Sequence, residues 1–352
     1  MINILGLALY GPLAASHRVR LGQYCNGLMH EGINLQVNSL LGDSYLKSRF
    51  DTGQYKAMPV IAAVIQRLRL LLKSRRYDAA ILHCEMFPLM PGWLECELLK
   101  LPYIYDFDDA FYMRYKNGSL SILSPFLGNK FDRVIKDAAA VTAGNAHLAN
   151  YASSINGDVT LLPSAVDTNH FRPRKVSENA VFTVGWIGSP STERYLENLV
   201  VPLARFGEKT SVRFFVVGGK APIIPNVEVL EIQWTEDTEV ELINNFDIGV
   251  MPLPDDEWAR GKCAFKLVQY MACGVPVVAS RVGANIDLVT PECGILVDSD
   301  EEWFNGIRSL FEQSMLRQRM GTIARQRVVD AYSVEKNLPV LADVIKRVTR
   351  AK

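Results

Sequence analysis

Lys262, Lys266 and Gln269 recur at spacings of four and three in RGKCAFKLVQYMACGVPVVAS, residues 260–280. The stretch reads as a helix followed by a Gly-Val-Pro turn and a buried strand, so the three side chains share one stripe that starts at the helix's first turn. Two cations beside a helix N-terminus, where the amides already carry partial positive charge, suit an anion. Read by itself, such a stripe is also what a solvated helix face looks like. Its upstream neighbour tips the balance, because PLPDDEWARGK, with Glu257, follows the apolar run DIGVMPL and so stands at the carboxyl end of a strand.

Two other places bring reactive side chains to strand ends. YIYDFDDA carries Asp106, Asp108 and Asp109 after an apolar run. A D-x-D there suits Mg²⁺, but a dehalogenase-type phosphatase needs it on the first strand and followed by Thr or Val; here it comes late and precedes Ala110. The structural alternative is one aspartate capping a helix while the others are solvated. Their place at a strand's carboxyl end favours a functional role, not necessarily as metal ligands. The loop YGPLAASHRVR places Gly11 after the first strand, Ser16 as a helix cap, and Arg18 and Arg20 in the first turn. Basic residues there oppose the helix dipole unless an anion lies against them. Glu85 closes the run AAILHCE and is grouped with this phosphate or acceptor loop.

The elements that must position these residues come in two similar sets. Apolar runs at 2–9, 33–40, 79–85, 103–109, 138–145 and 159–165 alternate with helical patterns, and a second set follows at 181–188, 213–219, 227–233, 247–253, 275–280 and 294–298. Near-continuous runs of this kind are strands buried on both faces, and their alternation with helices means parallel sheets. VDTNHFRPRKVSEN reads as the link between the sets. The expected class is α/β, with two Rossmann-like doubly wound domains facing each other across a cleft that holds the ligand. The assigned ranges are 1–168, 169–335, and a C-terminal helix 336–352 whose apolar stripe of Leu338, Leu341, Val344 and Val348 suits packing on another element, with the N-terminal domain as the candidate.

The bulk numbers narrow the class. With 352 residues, 49% hydrophobic and a formal net charge of +0, the chain can bury two cores and has no general affinity for nucleic acid. Its six cysteines form no C-x-x-C pair, so buried reduced thiols and a cytoplasmic location are expected, without a metal. The N-terminus lacks a basic leader and reads as a strand, and no run is long enough to span a bilayer. Neither the loop at Gly11 nor VGWIGS is a G-x-G-x-x-G fingerprint, so a nicotinamide cofactor is not expected.

At this point the residues resemble a family. LPSAVDTNHFRP is similar to the interdomain signature, and KLVQYMACGVPVVASRVGANIDLV…GILVD to the donor-site signature, of retaining family-4 (group 1) glycosyltransferases with the GT-B fold. That resemblance implies a nucleotide-diphosphate sugar donor in the C-terminal half, an acceptor in the N-terminal half, retention of configuration, and no obligatory metal or cofactor. Two signature glutamates eight apart fall on Gly261 and Gln269. Gln269 can still bond ribose hydroxyls, whereas Gly261 leaves the sugar to Glu257 or Asp256. The loop GSPSTERYL offers Gly188, Ser189 and Thr192 but no lysine, which gives Lys262 and Lys266 a reason to exist. Asp108 falls near the family's functional histidine, and Trp234 either stacks on the base or fills the core.

The acceptor implied is a glycan or lipid-linked molecule of polysaccharide biosynthesis. The segment 60–76, with Arg67, Arg69, Lys73, Arg75 and Arg76, is either a peripheral contact with anionic lipid at the inner membrane face or the charged outer side of a Rossmann helix. The competing reading is a catalytically inactive GT-B partner subunit that only binds sugar nucleotide, since both glutamates are missing; the two lysines argue against it.

Overall fold

The computed structural model describes residues 1–52, 57–174 and 181–350, so the end of the polar link, 175–179, lies outside the described residues. The chain divides into two compact units, one of Met1–Ser164 with Asn337–Lys352, the other of Ala165–Lys336.

The first unit is a six-stranded parallel sheet of β1 (Ile2–Tyr10), β2 (Ile33–Leu41), β3 (Ala79–His83), β4 (Tyr103–Phe107), β5 (Ala140–Ala143) and β6 (Val159–Leu161). Its order is β2-β1-β3-β4-β5-β6. The second holds β7 (Phe182–Ile187), β8 (Val212–Val217), β9 (Glu228–Ile232), β10 (Ile248–Met251), β11 (Val277–Ser280) and β12 (Gly294–Val297), in the order β12-β11-β10-β7-β8-β9. The central strands β3, β4, β7 and β10 are buried along their whole length, as strands covered by helices on both faces must be. In each sheet the chain reverses direction of travel once, between β1 and β3 and between β7 and β10. That is where the loops part and a doubly wound sheet binds its ligand.

Each of the twelve apolar runs coincides with a strand, which usually stops short of the run's carboxyl end. AAILHCE stops at His83 because Cys84 has φ 62°, which breaks the extended backbone. The aspartates Asp108 and Asp109 likewise lie beyond β4, in the turn.

The helix Val334–Arg350 belongs to the first unit for residues 337 onward. Leu341, Val344 and Val348 are buried, and Leu338 occupies the space a side chain on Gly27 would need. Lys346 pairs with Glu31, and Arg347 with Asp158.

The helix Ala57–Leu72 corrects one expectation. Arg67 is not on its outer side: it is buried, with Nε donating to Asn38 Oδ1 at 2.7 Å and Nη2 donating to the carbonyl of Ala8 at 2.9 Å. The outer side carries Met58, Ile61, Ile65 and Leu72 instead, with Arg69, Lys73, Arg75 and Arg76 exposed at and beyond its end. No helix among the described residues is long and apolar enough to cross a membrane.

Candidate functional site

In the second unit, two glycines set the position of everything else. Gly185 on β7 and Gly249 on β10 are paired across the central strands. A Cβ on Gly249 would lie 2.3 Å from the Tyr270 ring, and one on Gly185 would lie 2.1 Å from that of Phe246. The helix Phe265–Ala272 therefore seats Tyr270 directly against the sheet, and the Ile187 N–H, at the end of β7, donates to the Tyr270 hydroxyl at 2.8 Å. One turn earlier on the same side is Lys266. A Gly188 Cβ would lie 2.3 Å from the Trp186 ring and 2.8 Å from the Lys266 Cε, so glycine at 188 makes room for the tryptophan first and the lysine beside it at the mouth of β7.

The Lys266 Nζ lies 3.5 Å from Thr192 Oγ1 and 5.4 Å from the centre of the Trp186 ring. Thr192 turns back on the Ser189 carbonyl, and the hydroxyls of Ser189 and Ser191 are 2.8 Å apart. Lys262 is not in the helix. It stands in the short segment before it, 5.7 Å from the Trp258 ring. The expected single stripe is thus broken at Ala264, whose φ of 53° starts the helix abruptly and whose methyl offers no cap to the first-turn amides. Lys266, those amides and the Gly188–Thr192 turn form one positively charged edge at the carboxyl end of β7.

On the β9 side of that edge, Trp234 Nε1 donates to Glu239 Oε2 at 2.9 Å, and Gln269 Nε2 donates to the same oxygen at 3.3 Å. Glu239 and Gln269 are buried, while Trp234 is half-buried and lies against the core around Val217, Val240 and Val268. Glu239 escaped the sequence reading because it opens a helix, a position where acids are common for the helix dipole alone. The signal was its place five residues after Trp234, on a helix entering from a strand's carboxyl end. Glu257 sits in the first turn of the helix Glu257–Arg260, which Asp256 caps by accepting the Ala259 N–H at 2.7 Å. Asp256 is thereby committed to the cap.

In the first unit, Asp106 and Asp108 part company. Asp106 is buried and accepts from Arg20 Nε at 3.1 Å, Arg20 Nη2 at 2.5 Å, the Thr142 hydroxyl at 2.6 Å, and contacts His83 Nδ1 at 2.8 Å. Burial alone would raise its pKa, but the Arg20 guanidinium and His83 outweigh burial and hold it well below the usual carboxylate range. Arg20 is therefore no phosphate ligand: it is buried and also donates to the Leu162 carbonyl at 2.7 Å. Asp106 and Asp108 cannot serve as a chelating pair, because one is already saturated by cations and hydroxyls.

Ser16 is not the helix cap either. The helix Ala15–Arg20 starts after Ala14 without a side-chain cap, and Asp43 accepts the Leu13 N–H in the space a Gly11 Cβ would fill. Arg18 Nη1 donates to the Pro12 and Leu13 carbonyls and braces that loop.

Glu85 is likewise turned inward. It accepts from Arg114 at 2.8 Å, Tyr115 at 2.5 Å and Lys130 at 2.7 Å, and Lys130 lies 2.9 Å from Glu95. These contacts make it a structural acid beneath the loop, and β3's apolar run gave no hint of its direction.

Residues 179–313 match the family model described as Glycosyl transferases group 1. No curated protein matches. Among solved structures, sucrose-phosphate synthase from Thermosynechococcus elongatus is similar over 100% of both chains, with a TM-score of 0.72 and 14% identity. HepE from Anabaena, solved in complex with UDP and glucose, is similar over 98% of this chain and 100% of its own, with a TM-score of 0.70 and 15% identity. WaaG, a glycosyltransferase involved in lipopolysaccharide biosynthesis, is similar over 98% and 99%, with a TM-score of 0.67 and 16% identity. The chain has the GT-B fold.

Glu95 yields a test of the buried charges. Burial pushes its carboxyl up, Lys130 pulls it down and the charge on Glu85 pushes it up again, to about 7 from 4.5. Its Oε2 is buried without a hydrogen-bond partner, the atom a proton would cover. A folded-state pKa raised this way stabilises fully below about pH 4.5, and that contribution is lost as pH rises through about 7. Between about pH 5 and pH 8, wild type is therefore expected to lose stability relative to Glu95→Gln in urea melts; parallel curves would contradict the assignment.

Proposed function

We propose that the protein is a glycosyltransferase that moves a sugar from a nucleotide diphosphate to a glycan or lipid-linked acceptor hydroxyl, with retention at the anomeric carbon. The single observation that carries the reading is Lys266, which lies over the glycine turn at the end of β7 with an uncapped helix start behind it. The match of residues 179–313, which hold that edge, to the group 1 family supports it.

In this reading the pyrophosphate lies against Lys266, Lys262, the amides opening the 265–272 helix and the Gly188–Thr192 turn. Trp234 borders the base, Gln269 and Glu239 receive the ribose, and Glu257 receives the sugar. As the bond from the anomeric carbon to the diphosphate breaks, negative charge grows on the leaving oxygen, and preorganised cations and amides stabilise that charge most. The acceptor hydroxyl then bonds to the anomeric carbon on the face the diphosphate left, and its proton passes to the departing phosphate. Asp108, at the carboxyl end of β4, is assigned to orient the acceptor or sugar hydroxyls. No resident cofactor is part of the scheme.

The exposed apolar line of Met58, Ile61, Ile65 and Leu72, ending in Arg69, Lys73, Arg75 and Arg76, is assigned to an anionic lipid surface. Apolar area dips into the acyl boundary while the cations meet headgroups. Ile65→Asp is expected to abolish sedimentation with phosphatidylglycerol-containing vesicles. Retained sedimentation would remove membrane contact from the account.

The catalytic reading is tested by a panel of sugar nucleotides without acceptor, read as released nucleotide diphosphate. One donor should be hydrolysed slowly, and calorimetry with that diphosphate should show Lys266→Ala weakened by roughly 1.5–3 kcal/mol while the protein stays folded. Normal affinity in the variant would refute the lysine's role, and binding without any turnover would favour the inactive partner subunit.

Because lysines and amides neutralise the diphosphate in this scheme, turnover is expected to survive exhaustive EDTA. Loss of activity that Mg²⁺ or Mn²⁺ restores would contradict it.

A further inference from the structure

We propose that His83, Cys84 and Asp108, in the first unit, form a binding site for one divalent cation of the zinc class. β3 ends at His83 and pairs in register with β4, His83 opposite Asp106, so Cys84 and Asp108 emerge side by side where the two strands stop. His83 Nε2 lies 3.0 Å from Cys84 Sγ and 3.8 Å from Asp108 Oδ1, and the sulfur lies 4.0 Å from that oxygen. A tetrahedral zinc ion with bonds of about 2.0 Å to nitrogen and oxygen and about 2.3 Å to sulfur needs these donors roughly 3.3–3.6 Å apart. Movements of about half an ångström bring all three to those distances, well within a change of rotamer.

The surroundings are those of a built site. His83 Nδ1 is held at 2.8 Å by Asp106, which leaves Nε2 as the nitrogen that faces Cys84 and Asp108. Metal-bound histidines are oriented in this way by a carboxylate on the second nitrogen. Asp106 is in turn fixed by Arg20 and Thr142, so the imidazole has little freedom. Cys84 adopts φ 62°, a strained conformation for a side-chain-bearing residue, and its N–H donates to the Asp106 carbonyl at 2.8 Å. The strain is what turns the sulfur toward the histidine nitrogen instead of along the strand.

The charges also balance. A divalent ion, one thiolate and one carboxylate sum to zero around the neutral imidazole, and binding expels the thiol proton. A thiolate, an imidazole and a carboxylate together select zinc over magnesium, which prefers oxygen alone. The Asp108 side chain is 16% exposed against 3% for His83, so the fourth coordination position opens to water on the aspartate side. Sequence spacing concealed the set, since two ligands are adjacent on one strand end and the third comes from the next strand. If Asp108 serves the acceptor as proposed above, occupancy withdraws it; that consequence rests on the transferase reading, whereas binding itself does not.

The test uses the full chain stripped of metal. Zn²⁺ is titrated in competition with a chromophoric chelator, and Co²⁺ is read by its thiolate charge-transfer absorption. One equivalent is expected to bind with that absorption. Cys84→Ser should abolish the band and weaken zinc at least tenfold. Asp108→Asn should weaken zinc similarly while keeping the band, and this more exposed variant carries the test if Cys84→Ser does not fold. Cys25→Ser and Cys263→Ser should change nothing. Absence of stoichiometric binding, or a band and affinity unaltered by Cys84→Ser or by Asp108→Asn, would overturn the proposal.

Discussion

The second unit depends on one close approach, the Tyr270 ring against Gly249. With any side chain at 249 the helix Phe265–Ala272 would have to rise off the sheet, since a methyl there meets the ring at 2.3 Å. With glycine the helix lies flush, and the Ile187 N–H reaches the tyrosine hydroxyl. That bond ties the helix to the last residue of β7. Lys266 over Gly188 and Gln269 beside Glu239 both follow from it, because a rigid helix carries its side chains wherever its buried face is seated. The Lys266 charge is placed here by apolar packing one turn away.

The first unit solves the same problem with buried charge. Asp106 gathers Arg20, Thr142 and His83 behind the strand ends, and Glu85 gathers Arg114, Tyr115 and Lys130 beneath the next loop. Each acid is surrounded by donors, as burial of a carboxylate requires. Removing one partner would leave the rest uncompensated, so these groups hold the loops around Asp108 and Cys84 in one arrangement. Asp106 and Glu85 are surrounded by donors, and Asp108 is the more exposed acid beside them, its side chain 16% accessible.

Sequence periodicity revealed the strands well and side-chain direction poorly. All twelve strands coincide with apolar runs to within a few residues, and the central ones, covered on both faces, are buried and largely apolar throughout. The roles of Arg20, Arg67 and Glu85 were not legible. Each is a charged residue in a pattern that normally points to water, and each turns inward to a partner far away in sequence, Asp106, Asn38 or Lys130. Pairings of that range leave no local trace. The helix start at Ala264 was hidden for another reason: a left-handed alanine has no sequence signature, so Lys262 read as part of a helix it only precedes. Lys266, Gly188 and Thr192, by contrast, could be grouped in advance, because loops at the carboxyl ends of parallel strands converge by topology alone.

The most direct measurement of the central claim, that the β7 edge of the second unit is a diphosphate site, is amide hydrogen exchange with and without the nucleotide diphosphate of the accepted donor. The account predicts slowed exchange in two segments, 188–192 and 264–269, with the rest of the second unit little changed. Protection elsewhere with those two segments unaffected would contradict it.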